Sequence, residues 1–294
     1  AKPVQFLAEV EALEVEPDDS TSLRALRRRY RELGRPEDLA PILQKLSALC
    51  CGDERAGFLD ELCSLLDERL GDLDAAIVAA EQLRNTPGRP EHVETRLQSL
   101  LERAGRFEDL SQLLFERAEQ ADDIDDQEHL KFERAVLLEE LLGDVDQARH
   151  EYTHLCRSTA NPGMESRAGS RLEHLLERCG DWEALRTRLE TAIESAPPQQ
   201  RLALHMRIAG LSHDRLGDPE GSAQHLEAAG RLDPQRPDTW RRLGMLYQQL
   251  ERPEDLLRVT QAEIETSPDP ERERVLRARA AELWMEQAAG QERA

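Results

Sequence analysis

Apolar residues recur three and four positions apart along most of the chain, in runs closed by breaks that carry Gly or Pro. The clearest run is Pro237 to Leu256, where Trp240, Leu243, Gly244 and Tyr247 share one stripe of a helix. Gly244 leaves room on that stripe for a second helix to approach. The breaks fall at Gly34, Gly71, Gly105, Gly143, Gly180, Gly217 and Glu251, in steps of 37, 34, 38, 37, 37 and 34 residues. At each Gly a left-handed residue ends one helix, and the Asp or Pro that follows opens the next, with acids in its first turn. The pattern predicts seven antiparallel hairpins, at 19–50, 53–86, 89–120, 125–158, 162–195, 198–231 and 236–267, with unpaired helices at 4–16 and 271–289.

The hairpins are of two kinds. The sixth position of the break is Leu at Leu39, Leu110, Leu185 and Leu256, but Ala at Ala76 and Ala148. Before Gly71 the first helix reads one residue longer, Leu66-Asp-Glu-Arg-Leu-Gly71 against Tyr30-Arg-Glu-Leu-Gly34. Two steps together give a super-repeat of about 73 residues, a pair of unlike hairpins.

The segment Trp240-Arg-Arg-Leu243-Gly244-Met-Leu-Tyr247 has the spacing W-x2-L-G-x2-Y and resembles the first helix of a tetratricopeptide repeat. The same stripe maps onto Leu23, Leu26 and Tyr30, onto Leu97 and Leu101, and onto Leu172 and Leu176. The chain departs from the family where Leu replaces a small Ala in the second helix. It departs again where Arg27, Gln98 and Glu173 replace Gly at the tight contact. The resemblance implies an all-α fold, a right-handed α-solenoid of antiparallel helical hairpins forming one array over 1–294. It also implies a scaffold that holds a protein or peptide segment on its concave face, as part of a larger repeat protein. First-helix positions line that face in the family, which makes Arg24, Arg28 and Arg31 the candidate partner-binding residues, an anion clamp for a peptide carboxylate or acidic side chains. Pairing of these guanidiniums with neighbouring acids is the competing reading. The family's Lys- and Asn-based carboxylate clamp is absent.

The predicted end helices are complementary halves of a hairpin. The array is then excised from a longer one, or stacks head to tail as a homo-oligomer, with Phe6, Leu7 and Val10 meeting Leu283 and Trp284, or ends in simple frayed caps.

Composition narrows the partners. With 39 Lys and Arg against 60 Asp and Glu, the net charge is -21, which repels phosphate backbones and speaks against nucleic acid. Basic residues are nearly all Arg, a coding bias that hints at a bacterial source. No apolar run is long enough to span a membrane, and five cysteines without a C-x-x-C pair fit a reducing, cytoplasmic compartment.

Candidate chemistry is sparse, and neither an enzyme nor a cofactor is expected. His150-Glu151-Tyr152-Thr153-His154 satisfies H-E-x-x-H, the pattern of a zinc hydrolase. Ala148, Tyr152 and Leu155 take the core positions of that helix, however, which turns both His outward as a plain surface pair. The acidic run Asp122 to Glu128 lacks the Gly of a calcium loop and reads as helix capping. Cys50-Cys51 reads as packing at a helix end, and there is no Gly-rich phosphate loop.

Overall fold

The structure is a computed structural model describing residues 18–158, 161–266 and 269–291, with side chains to residue 285. Among these residues there are fifteen helices and no strand. The first hairpin is α1 (Ser20–Leu33) and α2 (Pro36–Leu49), the second α3 (Gly52–Leu65) and α4 (Leu73–Arg84), the third α5 (Val93–Ala104) and α6 (Phe107–Gln120). Next come α7 (Ile124–Leu137) with α8 (Val145–Ser158), α9 (Pro162–Cys179) with α10 (Trp182–Ser195), and α11 (Pro198–Asp214) with α12 (Pro219–Leu232). Helices α13 (Pro237–Gln249), α14 (Pro253–Thr266) and α15 (Pro270–Gln291) complete the order. Residues 4–16, with Phe6, Leu7 and Val10, lie outside the described residues.

The turns follow the chemistry of the breaks. Gly34, Gly71, Gly105, Gly143, Gly180 and Gly217 all take positive φ, ending helices in the left-handed region. Where Asp follows Gly, its carboxylate caps the next helix: Asp72 accepts from Ala75 N–H at 3.0 Å, Asp181 from Ala184 at 3.2 Å and Asp218 from Gly221 at 2.8 Å. Where Arg follows, no side-chain cap forms: Pro36 opens the helix after Gly34-Arg35, and Phe107 opens it after Gly105-Arg106. The extra residue before Gly71 and Gly143 is absorbed by a π turn, at Leu66–Leu70 and Leu138–Leu142.

The described residues form two compact units, divided between Ser166 and Arg167. In the first, each helix from α1 to α8 packs on the next, around a core running from Leu23 to Leu137. In the second, α10 to α15 pack successively, and Ala209, Leu226, Leu243, Leu246, Tyr247, Leu256 and Val259 form one cluster. Each buried Leu contributes about 1.5–3 kcal/mol, so this apolar stripe, more than helix propensity, holds the hairpins closed. The sixth break position is buried in both kinds of hairpin, at Leu39, Leu110, Leu185 and Leu256 as at Ala76 and Ala148. Beside Ala76 lies Cys63, whose thiol donates weakly to the Ala76 carbonyl at 3.6 Å; burial pushes that thiol up to about 11, which leaves it a packing residue.

The tight helix approach differs from the sequence expectation. A Cβ on Gly244 would meet Leu256 and Val259 of α14 at 3.8 and 3.9 Å, ordinary contact distances. The close approach is at Gly230 of α12 instead, where a Cβ would stand 2.6 Å from the Trp240 ring. Trp240 is thus seated on the preceding hairpin, its indole N–H donating to the Pro234 carbonyl at 2.9 Å.

Candidate functional site

The first helices of successive hairpins are tied together by ion pairs about one hairpin apart in sequence. In the first unit, Arg24 of α1 meets Glu54 of α3 at 2.8 Å, Arg31 meets Glu61 at 3.1 Å, and Arg27 also bonds Glu61. Asp60 of α3 and Asp67 of the π turn that follows it then take Arg96 and Arg103 of α5 at 3.0 and 2.7 Å. In the second unit, Arg207 of α11 bonds Glu173 and Glu177 of α9, and Arg279 of α15 bonds Gln248 of α13. These bonds hold neighbouring first helices in register. Their net contribution to stability is modest, because most of the partners stay wet.

Arg24, Arg28 and Arg31 lie on one face of α1, as their spacing requires, but they are not alike. Arg24 and Arg31 are each engaged by an acid of α3. Arg28 is the most exposed at 84 %, and bonds only Glu32, one turn along its own helix, at 3.3 Å. The acid at Glu61 was not legible as a site residue in the sequence. Its signal is its offset of 34 residues from Arg27, which is about one hairpin.

Two grooves occupy equivalent places in the two units. One, of about 490 Å³, lies between the α1–α2 turn and α3; Tyr30, Arg31, Arg35, Pro36 and Leu39 line one side, and Glu61, Leu65 and Glu68 the other. The second, of about 790 Å³, lies between the α13–α14 turn and α15; Tyr247, Pro253 and Leu256 face Val275, Ala278 and Leu283. In both, an Arg guanidinium covers the tyrosine ring, Arg35 at 5.9 Å from Tyr30 and Arg252 at 5.1 Å from Tyr247.

The tyrosine of the second groove is fixed from behind. Its hydroxyl donates to Glu227 of α12, which also takes Arg258 of α14. Burial and then the Glu227 carboxylate push the Tyr247 phenol up to about 12, so it stays a neutral donor. Burial by itself would raise Glu227, but the bonds from Tyr247 and Arg258 hold it below the usual carboxylate value.

Leu283 packs against the core of its own unit, while Trp284 is 56 % exposed on α15 beside Met285. The H-E-x-x-H residues are used elsewhere. Glu151 is bonded by Arg134, Tyr152 is buried with its hydroxyl on Glu139 at 3.0 Å, and His150 and His154 are exposed. Among the described residues no three His, Cys, Asp or Glu side chains are grouped to hold a metal, and no helix is long and apolar enough to cross a membrane.

No protein-family model and no curated protein matches the chain. Among solved structures it is similar to a tetratricopeptide repeat protein from Parabacteroides merdae, at 12% identity and a TM-score of 0.34 over 87% of this chain and 96% of that one. It is also similar to a structure of Naa15/Naa10 bound to HypK-THB, at 14% identity and TM-score 0.32, over 96% of this chain and 48% of that one. A third, the MamA RS-1 ArsTM double mutant, has 19% identity and TM-score 0.32 over 60% of this chain and 96% of that one. Overlaps of this size do not carry the fold assignment, which stands on the helix order and turn chemistry: the described residues form an all-α succession of helical hairpins.

Proposed function

We propose that this chain is a non-enzymatic protein-interaction scaffold that holds a segment of a partner protein against its first helices. The observation that carries this is the pair of grooves. Each is open to solvent and part apolar, and a Tyr, a Pro and a Leu line the same positions in both. Such a surface suits the side chains of an extended or helical segment and supplies no preorganised acid, base or nucleophile. In the first unit the segment carries an acidic group, because Arg31 lines the groove and Arg28, on the same face of α1, is bonded only by a neighbour on its own helix.

The test is a selection of peptides from a random displayed library on the full chain, repeated on an Arg28→Glu/Arg31→Glu variant of equal helicity. Peptides pairing an acidic with an apolar residue, and binding the variant at least tenfold more weakly, are expected. Selected peptides indifferent to the two substitutions, or none at all, would contradict the reading.

A second reading is favoured by the exposed Val275, Trp284 and Met285 on α15: homotypic association through that helix. Light scattering on Trp284→Ser/Met285→Ser separates it, since a mass that rises with concentration in the parent chain and not in the variant is its signature.

A further inference from the structure

In the sixth hairpin, His205 of α11 and His225 of α12 face each other, with their Nδ1 atoms 3.1 Å apart. The rings are tilted by 44° with centroids 5.3 Å apart, the arrangement of a single N–H···N bond between two neutral imidazoles. Nothing in the hairpin's packing asks for this pair, since the closing contacts there come from Ala209, Ala223 and Leu226.

The separation has a second meaning. Two nitrogens each about 2.1 Å from one cation, subtending roughly 95–110°, stand about 3.1–3.4 Å apart. The Cβ–Cγ torsion of His is soft, so turning both rings aims the two lone pairs at one point without moving either helix. The surroundings suit a cation. The Glu190 carboxylate of α10 lies 3.6 Å from His225 Nε2, on the far side of the ring. A carboxylate there keeps the proton on Nε2 and leaves Nδ1 as the lone-pair atom, the outer arrangement usual for metal-bound His. Asp218 adds a second negative charge; Arg186 bonds it at 3.0 Å and reaches Glu190 at 3.8 Å, ordering both carboxylates while offsetting part of their charge. Burial first, and for His205 its partner ring as well, lowers both imidazoles below their ordinary value, so both are neutral at pH 7. The His225 side chain keeps 17% exposure, enough for solvent to reach it.

We propose that His205 and His225 form a two-histidine site for a divalent late first-row transition cation, with Glu190 behind His225 as a positioning residue. Water fills the remaining positions, because among the described residues no third His, Cys, Asp or Glu joins the pair. Imidazole ligands select such cations over Mg2+ and Ca2+, which take oxygen donors.

The test titrates Ni2+ into the full chain by calorimetry in a His150→Gln/His154→Gln background, which removes the exposed surface pair. One equivalent is expected to bind, at least tenfold more weakly after His205→Gln or His225→Gln and about tenfold more weakly after Glu190→Gln. A readout in the same background with both ligands intact guards against a folding defect: the ring Hε1 signals of His205 and His225 are expected to broaden before those of any other histidine as Ni2+ is added. No binding, binding indifferent to either histidine, or first broadening at another histidine overturns the proposal.

Discussion

The turns that close the first and seventh hairpins are nearly the same sequence in two units. Residues 30–39 read YRELGRPEDL and 247–256 read YQQLERPEDL, sharing Tyr, Leu, Arg, Pro, Glu, Asp and the final Leu. Their backbone bonds match. Arg35 N–H donates to the Tyr30 carbonyl at 3.1 Å, and Arg252 N–H to that of Tyr247 at 3.0 Å. The residue in the left-handed position is Gly34 at φ 62° in one and Glu251 at φ 53° in the other. The frame therefore dictates the turn, and glycine is only its least strained occupant. What varies is the groove wall: Glu61, Ser64 and Leu65 of α3 with Glu68 of the following π turn in one, and Val275, Ala278 and Leu283 with Arg279 and Glu282 of α15 in the other. One backbone device thus presents two different surfaces.

The largest expected effect breaks the frame itself. Tyr247 is almost wholly buried and hydrogen-bonded to Glu227, whereas Tyr30 is only part-buried. Tyr247→Ala is expected to cost about 3–5 kcal/mol and Tyr30→Ala about half that, in denaturant unfolding. Equal losses would mean the two frames are energetically interchangeable.

Smaller effects sharpen the comparison at the left-handed position. Nothing lies within 4 Å of a Cβ on Gly34, so Gly34→Ala is expected to destabilise through the backbone alone, by about 1 kcal/mol. Glu251→Gly is expected to stabilise by about 0.5–1 kcal/mol, since it relieves the same strain. A loss at Glu251→Gly would show that the glutamate side chain outweighs its backbone cost.

The smallest expected effect distinguishes the units by pH. His205 and His225 lie below their ordinary value because burial lowers both, with Glu190 and Asp218 pulling His225 up against it and Arg186 pulling it further down. A depressed imidazole contributes stability that is full above the unfolded value of about 6.5 and is lost as pH falls through it toward the folded value. Trp182, Trp240 and Trp284 all lie in 167–294, so tryptophan fluorescence reads that unit alone. Its unfolding midpoint is expected to drop between pH 7 and 5, and the drop to shrink in His205→Gln/His225→Gln.

The helices were legible in the sequence because one apolar stripe recurs throughout and the breaks repeat one form, Gly (Glu at 251) followed by Asp or Arg. Even the longer helix before Gly71 was readable, and a π turn takes up its extra residue. Less legible were features that need two helices at once. Glu61 as the partner of Arg27 and Arg31, Gly230 as the seat of Trp240, and His205 facing His225 each join residues some 20 to 34 positions or so apart, or about 10 for Gly230, on different helices. Periodicity reports which face a residue takes on its own helix and not what lies across from it. The expectation for Gly244 failed for the same reason, since the adjoining Leu256 and Val259 leave it ordinary room.

The most direct test of the scaffold proposal is to titrate a library-selected peptide into the isotope-labelled chain and follow amide shifts by NMR. Shifts concentrated on α1, α3, α13 and α15, around Arg28, Arg31, Tyr30 and Tyr247, are the expected result. Shifts confined to α4, α6 and α8, which line neither groove, or none at saturating peptide, would contradict it.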